Sequence, residues 1–415
     1  MNILQSAFLI ACGLVLLTIG AHKGRLAVIV AVGLTIRSVL AIADDSVYWL
    51  PWSGSDSLVF YAKLLSWMKL PASEVLLSPP LSTSGMYPWL LSWFTRLFGD
   101  GYLFAVFLNV LLGTYNIIQM YRFAIEFLSR RHARLAAWFV CLFPVSAVLS
   151  AVLIRETLIA TFLLAALTWF VRAIKTRRMH ALLMSAGFIF LAAIFHGALI
   201  LCLIILPLSY ALGTAVSRRY RGARLASPTR IALVSAFLLT LILSAGPRLS
   251  KIGNADELAD RLDARLALEG KRTAAKNSDY PVFLSRSIFR PDIALLRYCY
   301  FMFAPFPWMW RGPMDLLGAL LGAANFYGFV LAWRYRKRLS VVPLTLFFSV
   351  FLTTAMFSAG VNNVGTAIRH RNKVIPALFC ASLAAYVTDR NGLQQPFSRR
   401  QQSYLGTTQG QRITG

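Results

Sequence analysis

A few charged side chains stand among long apolar stretches of this sequence, and these residues can do chemistry. Asp56 lies in the segment SGSDSLVFYAKLLSW, downstream of the adjacent acids Asp44 and Asp45. An acidic side chain at a membrane surface can take a proton from an acceptor hydroxyl, or hold a divalent cation against a phosphate leaving group. We predict that Asp56 and Asp45 are catalytic. The alternatives are that Asp56 caps the helix that follows it, and that Asp44 and Asp45 are solvated ends of a span.

A basic cluster in the segment GTAIRHRNK supplies Arg369, His370 and Arg371. Guanidinium groups hold phosphate oxygens through paired hydrogen bonds in a fixed geometry. We expect these three residues to bind the phosphate of a lipid carrier, together with Arg297. Contact with lipid headgroups would explain the same cluster without a substrate.

Arg155, Glu156 and His196 lie between apolar runs, with almost no polar loop around them. Ionisable side chains at membrane depth are costly, and they usually face a cavity or each other. We predict that Arg155 binds the substrate phosphate and that Glu156 and His196 act in catalysis, His196 by moving a proton or bonding a sugar hydroxyl. The structural alternatives are a salt bridge between Arg155 and Glu156, and a buried histidine that bonds a main-chain carbonyl.

The composition indicates which elements position these residues. Of 415 residues, 58% are hydrophobic and 14% are charged, against about 45–50% and about 25% in a soluble domain. The mean hydropathy is +0.63. The chain has 42 Lys and Arg against 16 Asp and Glu, a net charge of +26. Because most basic residues form short clusters between apolar runs, they indicate a multi-span membrane protein, and we expect no nucleic-acid partner.

The apolar runs predict an all-α, polytopic bundle of about eleven transmembrane helices, each long enough to cross a hydrocarbon core of ~30 Å. The basic clusters alternate between the runs so that the N-terminus is outside and the C-terminus cytoplasmic, by the positive-inside rule. The predicted spans are residues 3–21, 25–43, 102–125, 132–152, 157–174, 179–195, 197–214, 229–246, 313–333, 340–358 and 373–388.

The remaining segments are assigned from that topology. Residues 1–388 form the membrane domain, and the polar tail 389–415 is predicted to be disordered. Short apolar segments at 55–68 and 87–98 are predicted to be interfacial helices. Prolines interrupt the segment 291–310, which we interpret as re-entrant or interfacial. The predicted outer segments are residues 44–86, 247–290 and 358–373.

Several enzyme classes lack sequence support. The five cysteines are scattered without the spacing of a metal site, and the motifs of nucleotide-binding and zinc-dependent hydrolytic enzymes are absent from the sequence. We assign no metal site, and name Asp56 as the one side chain that would hold a divalent cation such as Mg²⁺ or Mn²⁺ if the reaction uses one.

Several segments together carry a family resemblance. They are the acid-bearing SGSDSLVFYAKLLSW, the aromatic MYPWLLSWFTRLFG, the run from FLNVLLGTYN to VLIRETLI, and the later FHGA, YFMFAPFPW and GTAIRHR. Over most of residues 20–388, this pattern resembles membrane glycosyltransferases of the GT-C class. It is most similar to the many-span proteins of bacterial surface-polysaccharide clusters, which include lipid-linked-sugar transferases and Wzy-type polymerases.

The resemblance implies an enzyme of the bacterial inner membrane that takes a sugar from a polyprenyl phosphate or pyrophosphate. The acceptor glycan would receive it at the outer face, in O-antigen or exopolysaccharide assembly with other assembly proteins. Asp56 matches the family's first-loop acid, and Arg155-Glu156 matches its basic–acidic pair. A polymerase remains the alternative. A flippase or transporter is less favoured because the polar residues gather at one face. A structural subunit of an envelope complex would need no catalytic residues.

Overall fold

In the computed structural model, the chain is a bundle of α-helices. The structure describes residues 2–22, 24–45, 47–80, 82–221, 280, 291–310, 312–361 and 363–391. These residues form fifteen α-helices and no β-strand, so the predicted all-α class is confirmed. The helices are α1 (Ile3–Ala21), α2 (Leu26–Asp45), α3 (Leu58–Met68), α4 (Ala72–Leu77), α5 (Met86–Phe98), α6 (Tyr102–Ala124), α7 (Arg130–Leu142), α8 (Pro144–Ala151), α9 (Glu156–Thr176), α10 (Met179–Phe195), α11 (Cys202–Arg221), α12 (Pro291–Phe303), α13 (Pro313–Arg334), α14 (Val341–Gly360) and α15 (Val364–Asn391).

Seven helices in the described ranges are long and apolar enough to cross a membrane, and α7 with α8 would make an eighth. The multi-span prediction is therefore confirmed, whereas the total of about eleven spans and their orientation stay predictions. Helix α10 is apolar but has only 17 residues. The predicted span at 229–246 lies outside the described residues. The seven helices are α1, α2, α6, α9, Gly197–Arg219, Asp315–Arg334 and α14.

The predicted span 132–152 is two helices, α7 and α8, which bend by 54° where they meet. Pro144 begins α8, and a proline lacks the N–H that would continue the ladder of α7. Arg37 of α2 is fully buried and donates to the carbonyls of Val140 at 2.9 Å and Cys141 at 3.1 Å. A buried arginine thus satisfies the main-chain acceptors at this helix end.

The bundle has two chemically different ends. At the acidic end, which carries Asp44, Asp45 and Asp56, α1 begins beside the start of α6, since Gln5 Nε2 donates to the Gly99 carbonyl at 2.8 Å. At the basic end, Glu126 after α6 pairs with Arg172 near the end of α9 at 2.7 Å. The basic end carries the clusters at 129–132, 172–178 and 334–338.

Short helices cover the acidic end. The segments predicted as interfacial, 55–68 and 87–98, form α3 and α5, which pack against each other. In the segment 291–310, α12 has 13 residues and is followed by a break and a 3-10 turn at Pro307–Met309. The re-entrant or interfacial position of this segment stays a prediction.

The structure differs from the prediction at 358–373, which was assigned as an outer loop. Helix α14 ends at Gly360 and α15 begins at Val364, so this segment is mostly helical. The basic cluster lies inside α15, where Arg369 and Arg371 are bonded to other parts of the bundle. Residues 389–391 of the predicted tail also belong to α15. Residues 392–415 and, apart from Tyr280, the predicted outer segment 247–290 lie outside the described residues.

Candidate functional site

Asp56 lies in a short turn at the acidic end that is hydrogen-bonded to neighbouring elements through Ser57. Ser53–Ser57 form a single π-helical turn before α3. The Ser57 hydroxyl oxygen accepts from the Leu153 N–H at 2.6 Å and from the Tyr102 hydroxyl at 3.1 Å. No side chain caps α3, so the alternative role of Asp56 as an N-cap does not apply. The turn holds Asp56 next to the connection between α8 and α9.

That connection, which carries the Arg–Glu pair, is held in place from α6. The side-chain amide of Asn109 is fully buried and donates to the carbonyls of Val152 at 2.7 Å and Ile154 at 2.8 Å. The Tyr87 hydroxyl donates to Asn109 Oδ1 at 2.8 Å, and burial raises the pKa of Tyr87 well above its usual range, so this donor keeps its proton. A fully satisfied buried network of this kind gives the connection one defined conformation.

Asp56 and Arg369 form an ion pair across the acidic end, although 313 positions separate them in the chain. Both side chains retain some exposure, 41% for Asp56 and 18% for Arg369. The guanidinium also lies over the Trp52 ring, 5.7 Å from its centroid, while its Nε is buried without a hydrogen-bond partner. The structure therefore joins the two groups that were predicted to be base and phosphate ligand.

Arg155 and Glu156 border this ion pair. Arg155 Nη1 donates to the Phe195 carbonyl at 2.7 Å, which satisfies the end of α10. Burial lowers the pKa of Arg155, while Glu156 opposes that shift and Arg369 adds to it. Glu156 is 5% exposed, and its Oε2 has no partner among the described residues. A buried carboxylate oxygen without a donor is costly, so it marks a place where a ligand can bond.

Three parallel rings form the inner wall of the site. The His370 ring stacks on His196, with centroids 4.9 Å apart, and on Phe357, with centroids 4.5 Å apart. Lys373 Nζ lies 2.8 Å from His370 Nδ1, within electrostatic range of Glu156. Burial, and then the charges of Lys373 and other cations, lowers the pKa of His196 to about 2. The neutral His196 ring has an Nε2 atom without a partner.

The other two predicted phosphate ligands are not available to a substrate in this structure. Arg371 is fully buried and donates to the carbonyls of Met302 at 2.7 Å and Ala304 at 2.6 Å, at the end of α12. Arg297 is 1% exposed and bonds carbonyls at the end of α14. Both residues donate to main-chain carbonyls at a helix end, which have no hydrogen-bond partner within their own helix. The acceptors of Arg297 belong to Ser358, Ala359 and Val361.

The upstream acids shape the approach to the Asp56 turn. The buried Asp44 carboxylate accepts from the Leu50 N–H at 2.6 Å, which folds the chain back after α2. Asp45, predicted to be catalytic, is the last residue of α2 and is half-buried. The described contacts give Asp45 no place in the ion-paired cluster.

Asp56, the side chain named for a divalent cation, offers a single carboxylate whose partner in the structure is Arg369. In the described part of the chain, no group of three or more His, Cys, Asp or Glu could hold an ion.

Sequence reasoning missed several residues that build the site. Ser57 links the Asp56 turn to α8 and α9, and Trp52 lies under Arg369. Phe357 completes the ring stack. The only signal in the sequence was the position of Ser57 beside Asp56, because the other contacts join distant helices.

Residues 82–246 match the family described as dolichyl-phosphate-mannose-protein mannosyltransferase. The match covers less than half of the chain and includes Arg155, Glu156 and His196, but neither Asp56 nor Arg369. It confirms the resemblance to membrane glycosyltransferases of the GT-C class. No curated protein matches the sequence.

The fold is similar to that of an archaeal oligosaccharyltransferase, AglB from Archaeoglobus fulgidus, solved with an inhibitory peptide and a dolichol-phosphate. The TM-score is 0.51 at 16% identity, over 87% of this chain and 50% of that one. The apo form of the Archaeoglobus fulgidus enzyme gives a TM-score of 0.49 at 15% identity, over 87% and 50%. This chain thus spans about half the length of the structures it resembles, and the likeness concerns the fold.

Proposed function

We propose that this GT-C-like membrane protein is a glycosyltransferase that takes a sugar from a polyprenyl-phosphate or polyprenyl-pyrophosphate donor. One observation carries the proposal. An acid and an arginine from opposite ends of the sequence meet at the end of a membrane bundle, beside a buried carboxylate without a partner. Charges are costly at membrane depth and are usually functional there. A lipid-linked anionic substrate fits both the apolar helices and the arginines.

Arg369 and Arg155 are the proposed phosphate ligands. A guanidinium forms strong, charge-assisted bonds to phosphate oxygens, and the Nε of Arg369 is without a partner before substrate binds. Because Arg369 is already paired with the Asp56 carboxylate, the incoming phosphate takes the place of that carboxylate as the anionic partner of Arg369. Donor binding then releases the Asp56 carboxylate for its role as base.

The transfer step follows from these positions. The acceptor hydroxyl oxygen forms a bond to the anomeric carbon while the bond from that carbon to the phosphate oxygen breaks. The electron pair of the broken bond leaves on the phosphate, whose negative charge Arg369 and Arg155 stabilise. Asp56 takes the proton of the acceptor hydroxyl. Glu156 Oε2 and neutral His196, both without partners, bond hydroxyl groups of the sugar.

We further propose that the protein lies in the bacterial inner membrane and acts in surface-polysaccharide assembly. It would transfer the sugar to an acceptor glycan at the outer face. A Wzy-type polymerase is the second candidate. It is favoured by the surroundings of Asp56, where Arg369 and Arg155 place two cations near the acid.

The test is transfer by the purified protein in lipid nanodiscs. The donors are polyprenyl phosphate and pyrophosphate carrying an isotope-labelled sugar or repeat unit, each with and without EDTA. We expect release of the lipid phosphate together with a labelled acceptor, unchanged by EDTA. Single-sugar addition indicates a transferase, and chain growth indicates a polymerase. Release no faster than with the Asp56→Asn variant would refute the proposal.

A further inference from the structure

A groove lies between α7, α13 and α15, toward the basic end. Its volume is ≈ 270 Å³. Phe139 and Phe379 form part of its wall, stacked with their ring centroids 4.0 Å apart. Tyr327 and Tyr386, which are 63% and 42% exposed, stand at its rim. The exposure of both rings places this rim at the surface of the described bundle.

The groove is built for hydrocarbon. Its polar wall residue, Ser382, donates to the Gly328 carbonyl at 3.0 Å and to the Leu378 carbonyl at 2.8 Å, so its hydroxyl already has acceptors. Gly328 allows α13 and α15 to approach closely here, because a Cβ at this position would lie 3.1 Å from atoms of Leu378 and Ser382. The remaining surface is mainly aliphatic and aromatic, as an acyl chain requires.

The lining of the groove suits an extended hydrocarbon chain, because such a chain makes no hydrogen bonds and gains from contact with aliphatic and aromatic side chains.

Arg334, a cation, lies beyond the groove on the same face of α13. Residues three and four apart share one helix face, so Tyr327, Leu331 and Arg334 form one stripe. Leu331 lines the groove, and the exposed Arg334 lies one turn further, at the end of the helix. The cluster at 334–338 adds three basic side chains. The apolar groove and the cation together match a lipid with an anionic phosphate.

We propose that this groove binds an anionic glycerophospholipid of the surrounding bilayer, with an acyl chain between α13 and α15 and its phosphate at Arg334. The polyprenyl-linked donor is a poorer match because its proposed phosphate ligand, Arg369, lies at the other end of α15. The groove follows α15 from Ile375, about 9 Å from Arg369 along the helix, to Tyr386, roughly 25 Å from it. Arg334 lies at the basic end, so the proposed phosphate position is separate from the proposed transfer site.

The test is lipid retention in native mass spectrometry after reconstitution in equal amounts of phosphatidylglycerol and phosphatidylcholine. We expect the wild type to keep phosphatidylglycerol at least about threefold over phosphatidylcholine, and Arg334→Gln to bring the two lipids to parity. Ala324→Trp, which places a large ring in the groove from an exposed position, should lower retention of both lipids. Arg178→Gln, at an exposed arginine of the basic end that does not line this groove, is the matched control.

Three results would overturn the proposal. Equal loss of phosphatidylglycerol in Arg334→Gln and Arg178→Gln would indicate general attraction to positive charge. Unchanged retention in Ala324→Trp would show that the groove holds no chain. In a competition experiment, an equimolar polyprenyl phosphate is added to the wild type and to Arg334→Gln. If it displaces phosphatidylglycerol equally from both, the groove belongs to the donor or product instead.

Discussion

The two ends of this bundle carry charge in different ways. At the basic end, cations are numerous and mostly exposed, as at Arg177, Arg178 and Arg334. Among the described residues of the acidic end, several cations are buried with an incomplete set of partners, as at Arg369. Water satisfies an exposed cation, whereas a buried one requires a protein or ligand partner. The number of charges therefore says little about function here, while the candidate site is marked by an ion pair between distant parts of the chain beside a buried carboxylate oxygen without a partner.

Among changes that contrast the two ends, we expect the largest effect on activity from a substitution of Asp56. Asp56→Asn removes the base but keeps the side-chain shape, and we expect the turnover number to fall about 10²–10⁴-fold. The KM for the lipid donor should not rise, because Arg369 loses a competing anion. Steady-state transfer kinetics in nanodiscs measure both quantities.

Glu74→Gln is the matched control, since Glu74 is an exposed acid of the same predicted outer segment. It should retain wild-type turnover. An Asp56→Asn enzyme with the kinetics of Glu74→Gln would remove the acidic end from the chemistry.

The second effect concerns stability and contrasts two arginines. Arg371→Gln leaves buried carbonyls at the end of α12 without their donors, and we expect a loss of about 2–4 kcal/mol. Arg178→Gln at the basic end should cost less than about 0.5 kcal/mol. Thermal unfolding in one detergent compares the two variants. Equal midpoints would show that the buried arginine contributes no more than an exposed one.

The third effect is a pH dependence at His196. Its pKa is about 2 in the folded protein and 6.5 in the ordinary case, so the unfolded chain binds the proton more readily. The stability from neutral His196 is therefore present above about pH 6.5 and is lost as the pH falls toward 2. Between pH 7 and pH 5, we expect the wild type to lose up to about 2 kcal/mol relative to His196→Gln.

Unfolding midpoints at pH 7, 6 and 5 measure this difference. Parallel pH profiles for the wild type and His196→Gln would mean that His196 is not buried in a neutral form.

The fold was largely predictable because hydrophobic length and basic clusters depend on the bilayer rather than on detailed packing. The all-α class and the helices α3 and α5 at the segments 55–68 and 87–98 follow from that pattern. The predicted span 132–152 is instead two shorter helices, because Pro144 interrupts it. Arg37 donates to a main-chain carbonyl that the interruption leaves without a partner. A local sequence pattern contains no information on such a distant partner.

The site was predictable only in part, and Arg369 and Arg371 illustrate the reason. They stand two positions apart and have the same side chain, but helix geometry directs them to different neighbours. Arg369 pairs with Asp56, whereas Arg371 caps α12. The sequence indicated that this cluster was unusual. Tertiary contacts decide which of its members can reach a substrate.

The central claim is that the incompletely satisfied charges of the acidic end bind the donor phosphate. Its most direct test is the dissociation constant of a polyprenyl phosphate for Arg369→Gln and Arg178→Gln, measured in zwitterionic nanodiscs. We predict that Arg369→Gln weakens binding at least about tenfold, which corresponds to about 1.4 kcal/mol, and that Arg178→Gln changes it less than about twofold. Equal dissociation constants for the two variants would contradict the claim.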